Sequence, residues 1–516
     1  MKLKIGIDKL TPGWQIIFQQ QAYNTSELAL DDDLNDYVCL IITQKPSIEF
    51  QKKIDNYTKN GGIIIIDSTV SCYFFKVKFK KKKVSFLIPT KDSIFNELGL
   101  VDFYTTFYYL KPYNFKWLDK KLMIQTKLIG SGMIINLPFD LDKLMLDEST
   151  KRKKFWADRK ELPSEIVSRI SKGKIRQLIH KLLYFIHQKK NLPLMRISEF
   201  PKPLQSLFMF RVDTDFCSAD QANSLYEICK KYNINGTWFV DTKDSSMLKD
   251  VYAKMTDQEI GLHCKRHLVF DDYKSNKVNI ENGLEDLEKA GIKVEGFAAP
   301  FGSWNEDLGK VLEEKKFTYS SEFAVNYDDL PFFPFYHDKS SSVLQIPIFP
   351  VSTGRLRRSH FSLEEMWQFY KQYIDECLKR NQPIIIYYHP SHGHHNIIEQ
   401  VFSYVNDLEI PNLTFNEFSK FWIERKNFSW DAEIKSDRLE LKFEKSSNLQ
   451  LVLEKENEIS YFSFQNQIKL KKLSWQRKEA IFIPDDLKRI RKWHWRDVLY
   501  NYESNKGKKY HENLSG

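Results

Sequence analysis

No two cysteines of this chain stand close enough to form a CxxC pair. The six, Cys39, Cys72, Cys217, Cys229, Cys264 and Cys377, are scattered along 516 residues, the pattern of reduced thiols and not of a disulfide framework. Histidine is absent from the first 150 residues, and no Cys there sits in a G-x-C-x-G turn, so a Cys–His nucleophile is excluded from that part. An uninterrupted apolar run of 18 residues is also missing, which argues against a spanning helix. The opening MKLKIGIDKLTPGWQIIFQQ has no continuous apolar core of the secretory type. Together these absences lead us to expect a cytoplasmic protein. What is present is ordinary for a globular chain, 42% hydrophobic and 28% charged, and the length implies about three domains.

The net charge of +10 is unevenly placed. Residues 151–190 hold thirteen Lys and Arg against three acids, Asp158, Glu161 and Glu165. Basic surfaces attract nucleic acid, anionic lipid or anionic substrate. With no recognisable nucleic-acid module, no nucleic-acid partner is expected. Ile175, Leu178, Ile179, Leu182, Leu183 and Ile186 follow the spacing of an amphipathic helix. Two readings stay open for this stripe. It lies on an anionic membrane, giving peripheral contact through 151–190 at the inner face, or it packs on a neighbouring domain.

The fold class read from these patterns is a multidomain α/β chain with a barrel core. DYVCLIIT, the helical SIEFQKKIDNYTKN, the Gly61-Gly62 stop and IIIID make one βαβ unit, hence a parallel-sheet α/β domain over 1–150. LIGSGMIINLPF adds a strand behind a Gly-Ser-Gly turn. This cadence resembles glutamine-amidotransferase-like α/β domains, here without their nucleophile, so a non-catalytic module is expected. Residues 151–204 read as a basic helical connector. After 428, RLELKFE and LQLVLE alternate apolar and polar residues around SSN, which reads as a small antiparallel β module over 429–516 with a basic, aromatic tail.

Between 205 and 428 strands alternate with helices, which favours a (β/α) barrel or a doubly wound sheet. LFMFRVDTDF ends in Asp213 and Asp215, IGLHCKRH carries His263 and His267, AAPFGSW turns at Pro300, and QPIIIYYHP ends in His389. All stand at the carboxyl ends of strands, where barrels gather their catalytic groups. Each has a plainer alternative: the aspartates as helix caps, His389 as a buried imidazole satisfied by backbone.

RVDTD, IGLHCKRH, AAPFGSWN and IIIYYHP, in that order, resemble the motifs of polysaccharide deacetylases of the NodB-homology type, carbohydrate esterase family 4. The resemblance implies a deacetylase-type (β/α) barrel and a metal-dependent hydrolase that removes an N-acetyl group from an amino sugar of a cell-surface glycan or its precursor. It implies that Asp215, His263 and His267 hold one divalent metal, zinc first and cobalt or another ion next. Asp213 is then the general base, His389 the general acid, and Pro300, Phe301 and Gly302 the oxyanion and substrate loop. The substrate partner is an N-acylated amino sugar or oligosaccharide, free or lipid-linked. One departure is Ala298, where the family's third motif begins with Arg; Arg211 beside the Asp pair is the candidate to supply that charge. The other reading left open is a catalytically impaired deacetylase fold that binds glycan or acts as a scaffold.

Overall fold

Runs of isoleucine and leucine decide the N-terminal sheet. Cys39–Ile42 and Ile63–Ile66 are buried at every position, as inner strands of a sheet covered on both faces are. The computed structural model describes residues 2–75, 79–110, 115–336, 339–444, 448–479, 481 and 487–490. In it these strands lie side by side in a seven-stranded sheet. Thr25–Glu27, Ile5–Ile7, Cys39–Ile42, Ile63–Ile66 and Gly132–Asn136 run parallel, and Ile124–Ile129 and Lys116–Asp119 close one edge antiparallel. The helix Ile48–Lys59 is the crossover that the βαβ reading expected. A ribbon of Phe79–Leu87 paired with Val101–Leu110 is inserted between them, and no sequence feature above anticipated it.

Residues 151–204 depart from a purely helical connector. Thr150–Lys154 and Ser164–Ser168 form an antiparallel hairpin, and the helix spans only Lys172–Lys189. Its apolar stripe, Ile175 to Ile186, is fully buried against the rest of the chain, so packing on neighbouring elements wins over an open apolar face. The basic run is not wholly a surface either: three of its thirteen cations are buried and seven half-buried. Lys153 is buried in an ion pair with Asp102 at 2.8 Å, and Arg176 is buried against Asp329 at 2.5 Å. Lys172 is buried too, and of the thirteen cations only Lys151, Lys160 and Lys189 are exposed. The partners at 102 and 329 are remote in sequence, which is why a local count read the segment as a basic surface.

The C-terminal strands are also arranged differently from the expected hairpin around SSN. Arg438–Phe443 pairs with Trp430–Lys435 and Gln467–Lys469, whereas Gln450–Lys455 pairs with Glu458–Ser463 and with Leu194–Ile197. The two alternating segments therefore sit in different sheets, and the strand after the long helix is an integral part of one of them. Alternation fixes which face is buried and says nothing of the partner strand. Of the basic tail, Leu487–Ile490 is helical, and ESNKGKKYHENLSG lies outside the described residues.

The central segment forms a curled sheet of seven parallel strands. In spatial order they are Leu344–Gln345, Tyr319–Ser320, Gly296–Phe297, Glu259–Leu262, Thr237–Val240, Phe208–Asp213 and Ile384–Tyr388. Helices lie between most successive strands, as in a deacetylase-type (β/α) barrel, Ser320 and Leu344 being joined by a small hairpin instead, and the carboxyl ends of several strands open on one cavity. Among the described residues no helix is long and apolar enough to cross a membrane.

Candidate functional site

The strand Phe208–Asp213 is buried throughout, and Arg211 and Asp213 lie two residues apart on it, hence on one face. Arg211 grips Asp213 with both arms, Nε donating to Oδ1 at 2.6 Å and Nη2 to Oδ2 at 2.8 Å. Its Nη1 donates to the carbonyl of Ser321 at 2.6 Å and to Ser321 Oγ at 3.1 Å, which fixes the guanidinium in turn. Ala298, at the position of the family's Arg, is wholly buried. Arg211 thus pairs with Asp213 from the aspartate's own strand, in a forked geometry that orients the carboxylate as well as balancing its charge.

Two residues on, Asp215 faces three imidazoles. His263 Nε2 stands 3.7 Å from its Oδ1, His267 Nε2 3.6 Å from its Oδ2, and His389 Nε2 3.5 Å from its Oδ1. Asp215, His263 and His267 each offer one ligand atom, and these atoms lie within 4.8 Å of one another, close enough to share an ion. His263 Nδ1 is 2.7 Å from the carbonyl of Ala298. That bond puts the proton on Nδ1 and leaves the Nε2 lone pair facing the carboxylate, the outer contact typical of a metal-ligating His. Asp215 Oδ1 is buried with no hydrogen-bond partner among the described residues. Burial first, and then the charge of Asp213, push the Asp215 carboxyl well above the usual range. Burial holds the imidazole of His263 low, so it is a neutral donor. A carboxylate with an orphaned oxygen among neutral imidazoles fits a divalent cation.

His389 follows the strand Ile384–Tyr388, and burial, with help from His392 and His263, pushes its pKa well below the ordinary value. Pro300, Phe301 and Gly302 form a tight turn, with positive φ at Phe301 (58°) and Gly302 (59°). A Cβ on Gly302 would stand 2.4 Å from the ring of Phe323, so glycine is required there on two counts. Phe301 packs edge-on to His267 at 4.8 Å between ring centres.

One cavity of about 190 Å³ gathers Asp213, Asp215, His263, His267, Phe301, Gly302 and His389. Arg211 and Pro300 are not in its lining; Arg211 acts from behind Asp213. The cavity also holds residues to which sequence reasoning gave no part in this site: Glu165, Phe216, Arg355, Arg358 and His392, the last read there as part of a solvated polar loop. Glu165 comes from the hairpin outside the barrel segment, a contribution that no local motif signals. For Arg355 and Arg358 the available signal was the RLRR run, and for His392 its place three residues after His389. His394 and His395 are outside the lining, and Cys264 is a buried bystander.

A family model for polysaccharide deacetylases matches residues 213–320. No curated protein matches the chain. Among solved structures, the chain is similar to a Mycobacterium smegmatis protein described as a polysaccharide deacetylase, at 18% identity, 44% coverage of this chain, 93% of that one and a TM-score of 0.37. A Pseudomonas aeruginosa PAO1 protein described likewise gives 15% identity, 43% and 91% coverage and a TM-score of 0.36. A family 4 carbohydrate esterase pseudoenzyme from Bacillus anthracis gives 14%, 54% and 93%, with a TM-score of 0.32. These distant likenesses carry no weight beside the family match and the residues at the strand ends. On those two grounds the chain carries a polysaccharide deacetylase domain of the NodB-homology type, the domain of hydrolases acting on carbon–nitrogen bonds of linear amides.

Proposed function

We propose that the protein is a metal-dependent N-deacetylase acting on an acetylated amino sugar of a cell-surface glycan or its precursor, in the cytoplasm. The observation that carries this reading is the constellation in one cavity: Asp215 ringed by three imidazole Nε2 atoms, with Asp213 held beside it by Arg211. Asp215, His263 and His267 would hold the cation, and a one-carboxylate, two-imidazole set suits zinc. A divalent ion there lowers the pKa of water towards about 7 and polarises a carbonyl.

The remaining work belongs to the chain's own side chains. Asp213 takes the proton from the attacking water, its carboxylate aimed by the Arg211 fork. His389 Nε2, which burial leaves neutral at rest, acts as the general acid by relaying the proton taken by Asp213 to the departing nitrogen, so the products are acetate and a free amine. The backbone N–H of Phe301 receives the oxyanion, an interaction of the kind typically worth about 3–4 kcal/mol. The second reading, a glycan-binding or scaffolding fold without catalysis, draws on Ala298. The bond from Arg211 to Asp213 removes most of its ground, because the missing charge is present by another route. Lipid linkage of the substrate and a membrane contact through 151–190 gain no support from a stripe that is buried.

The test is acetate release from β-linked N-acetylhexosamine oligomers by zinc- or cobalt-loaded protein and by chelated protein. The proposal expects release from the loaded form only. Loaded protein that releases no acetate from any acetylated amino sugar would favour the scaffolding reading.

A further inference from the structure

The imidazole of His263 starts a hydrogen-bond chain that leads away from the cavity. Its Nδ1 donates to the carbonyl of Ala298 at 2.7 Å. The N–H of the same peptide unit, at Ala299, donates to Oε1 of Glu322 at 3.1 Å. Glu322 Oε2 accepts from Gln345 Nε2 at 2.7 Å, and that amide nitrogen also donates to Ser320 Oγ at 2.5 Å. These residues stand at or just past the carboxyl ends of four strands that lie side by side: Glu259–Leu262, Gly296–Phe297, Tyr319–Ser320 and Leu344–Gln345. The chain thus crosses the sheet from a metal-binding imidazole to its last strand.

Glu322 is wholly buried and lies outside the cavity lining, so it touches neither the substrate space nor the metal. A buried carboxylate is costly unless its oxygens are satisfied. Both oxygens of Glu322 accept from N–H donors, the pattern that suits the ionised form. The segment that carries it also holds the oxyanion turn. Ala324 N–H donates to the carbonyl of Gly302 at 3.0 Å, and the ring of Phe323 packs on Gly302. An amide whose N–H is bound to a carboxylate has a more electron-rich carbonyl, because successive hydrogen bonds polarise one another. A stronger acceptor at Ala298 makes His263 Nε2 more basic and keeps its ring in the ligating tautomer. Carboxylates commonly do this by direct contact with a metal-bound imidazole. We infer that Glu322 is a positioning residue of the site: acting through the Ala298–Ala299 peptide, it sets the donor strength of His263 and the placement of the Pro300–Gly302 turn together. This inference rests on the proposed metal site and adds a control over it from two strands away.

The test is the zinc affinity of the full chain at pH 8, by competition with a chromophoric chelator, together with the visible absorption of the cobalt form. At that pH the Glu322 carboxyl, which burial pushes up to about 7, is ionised. E322Q keeps the shape and an acceptor for Ala299 but loses the charge. It should weaken zinc binding by about 10- to 100-fold and shift the cobalt bands. E259Q makes the same change in a carboxylate at the amino end of the strand that leads to His263, where it accepts from Thr237, Tyr319 and Asn416. Its zinc affinity should stay within about threefold of wild type. The double variant E322Q/Q345E again sets a donor opposite a carboxylate at the lost contact, but leaves the peptide facing a neutral amide. It should remain weakened, and it replaces E322Q in each comparison if the single variant does not fold. Three results would overturn the inference while leaving the metal site standing: E322Q affinity within about threefold of wild type with unchanged cobalt bands, equal weakening in E322Q and E259Q, or full recovery in the double variant. A wild type that binds no zinc would instead remove the deacetylase reading, and this inference with it.

Discussion

Replacing Arg211 by Met removes a guanidinium that is completely buried and makes four hydrogen bonds, two to Asp213 and two to Ser321. Met approximates the length of the stem, so the change tests the charge and the fork more than the packing. Asp213, only 4% exposed, would be left as a buried carboxylate without its counter-charge. Removing one partner of such a pair costs about 3–5 kcal/mol, far more than a surface ion pair. At about 2–4 °C per kcal/mol for a domain of this size, the melting transition of the barrel should fall by about 6–20 °C. R211K keeps the charge and loses the fork, so it should fall between R211M and wild type. Turnover should fall in the same order, within the roughly 100- to 10,000-fold that general bases contribute. The assay is thermal denaturation together with acetate release. An R211M protein melting within about 2 °C of wild type, with activity within about twofold, would refute the claim that Arg211 replaces the family's missing arginine.

The two aspartates should fail differently: D213N should retain metal while kcat drops about 100-fold or more, and D215N should lose both metal and turnover. Metal content and kcat of the two variants, measured side by side, check this, and the opposite pattern would exchange the two assignments. His187 is buried, its Nδ1 2.8 Å from the carbonyl of Leu183, and burial lowers its pKa from 6.5 to about 4. The unfolded chain therefore binds the extra proton between those values, so stability is full above about pH 6.5 and is lost as pH falls towards 4, by up to about 3 kcal/mol. Urea titrations at pH 7.5 and 5 on wild type and H187N should show a smaller loss in the variant; equal losses would contradict this.

The residues proposed for catalysis and metal binding were legible because each stands at or just after the end of a short apolar strand, and strand ends are where a barrel displays its chemistry. Asp213, Asp215, His263, His267 and His389 needed only local pattern to be singled out, and the fold brings all five to one cavity. The remaining wall of the cavity was not legible. Glu165 reaches the cavity from a hairpin in a segment that reads as a basic helix, and its pairing with Arg355 spans six of the seven barrel strands in sequence. The charge run at 151–190 misled for the same reason. A count of lysines carries no information on whether Asp102 or Asp329 waits in the interior. Strand partners were similarly hidden. The pattern of Gln450–Lys455 gives its buried face, but nothing local says that Leu194–Ile197 lies beside it.

The most direct test of the central claim is the metal content of the purified full-length chain after zinc titration and gel filtration. The account predicts one divalent ion per chain, lost in H263A and kept in H360A, since His360 is exposed and outside the cavity. A wild-type protein that takes up no zinc or cobalt, or an H263A protein that holds its ion as tightly as wild type, would contradict it.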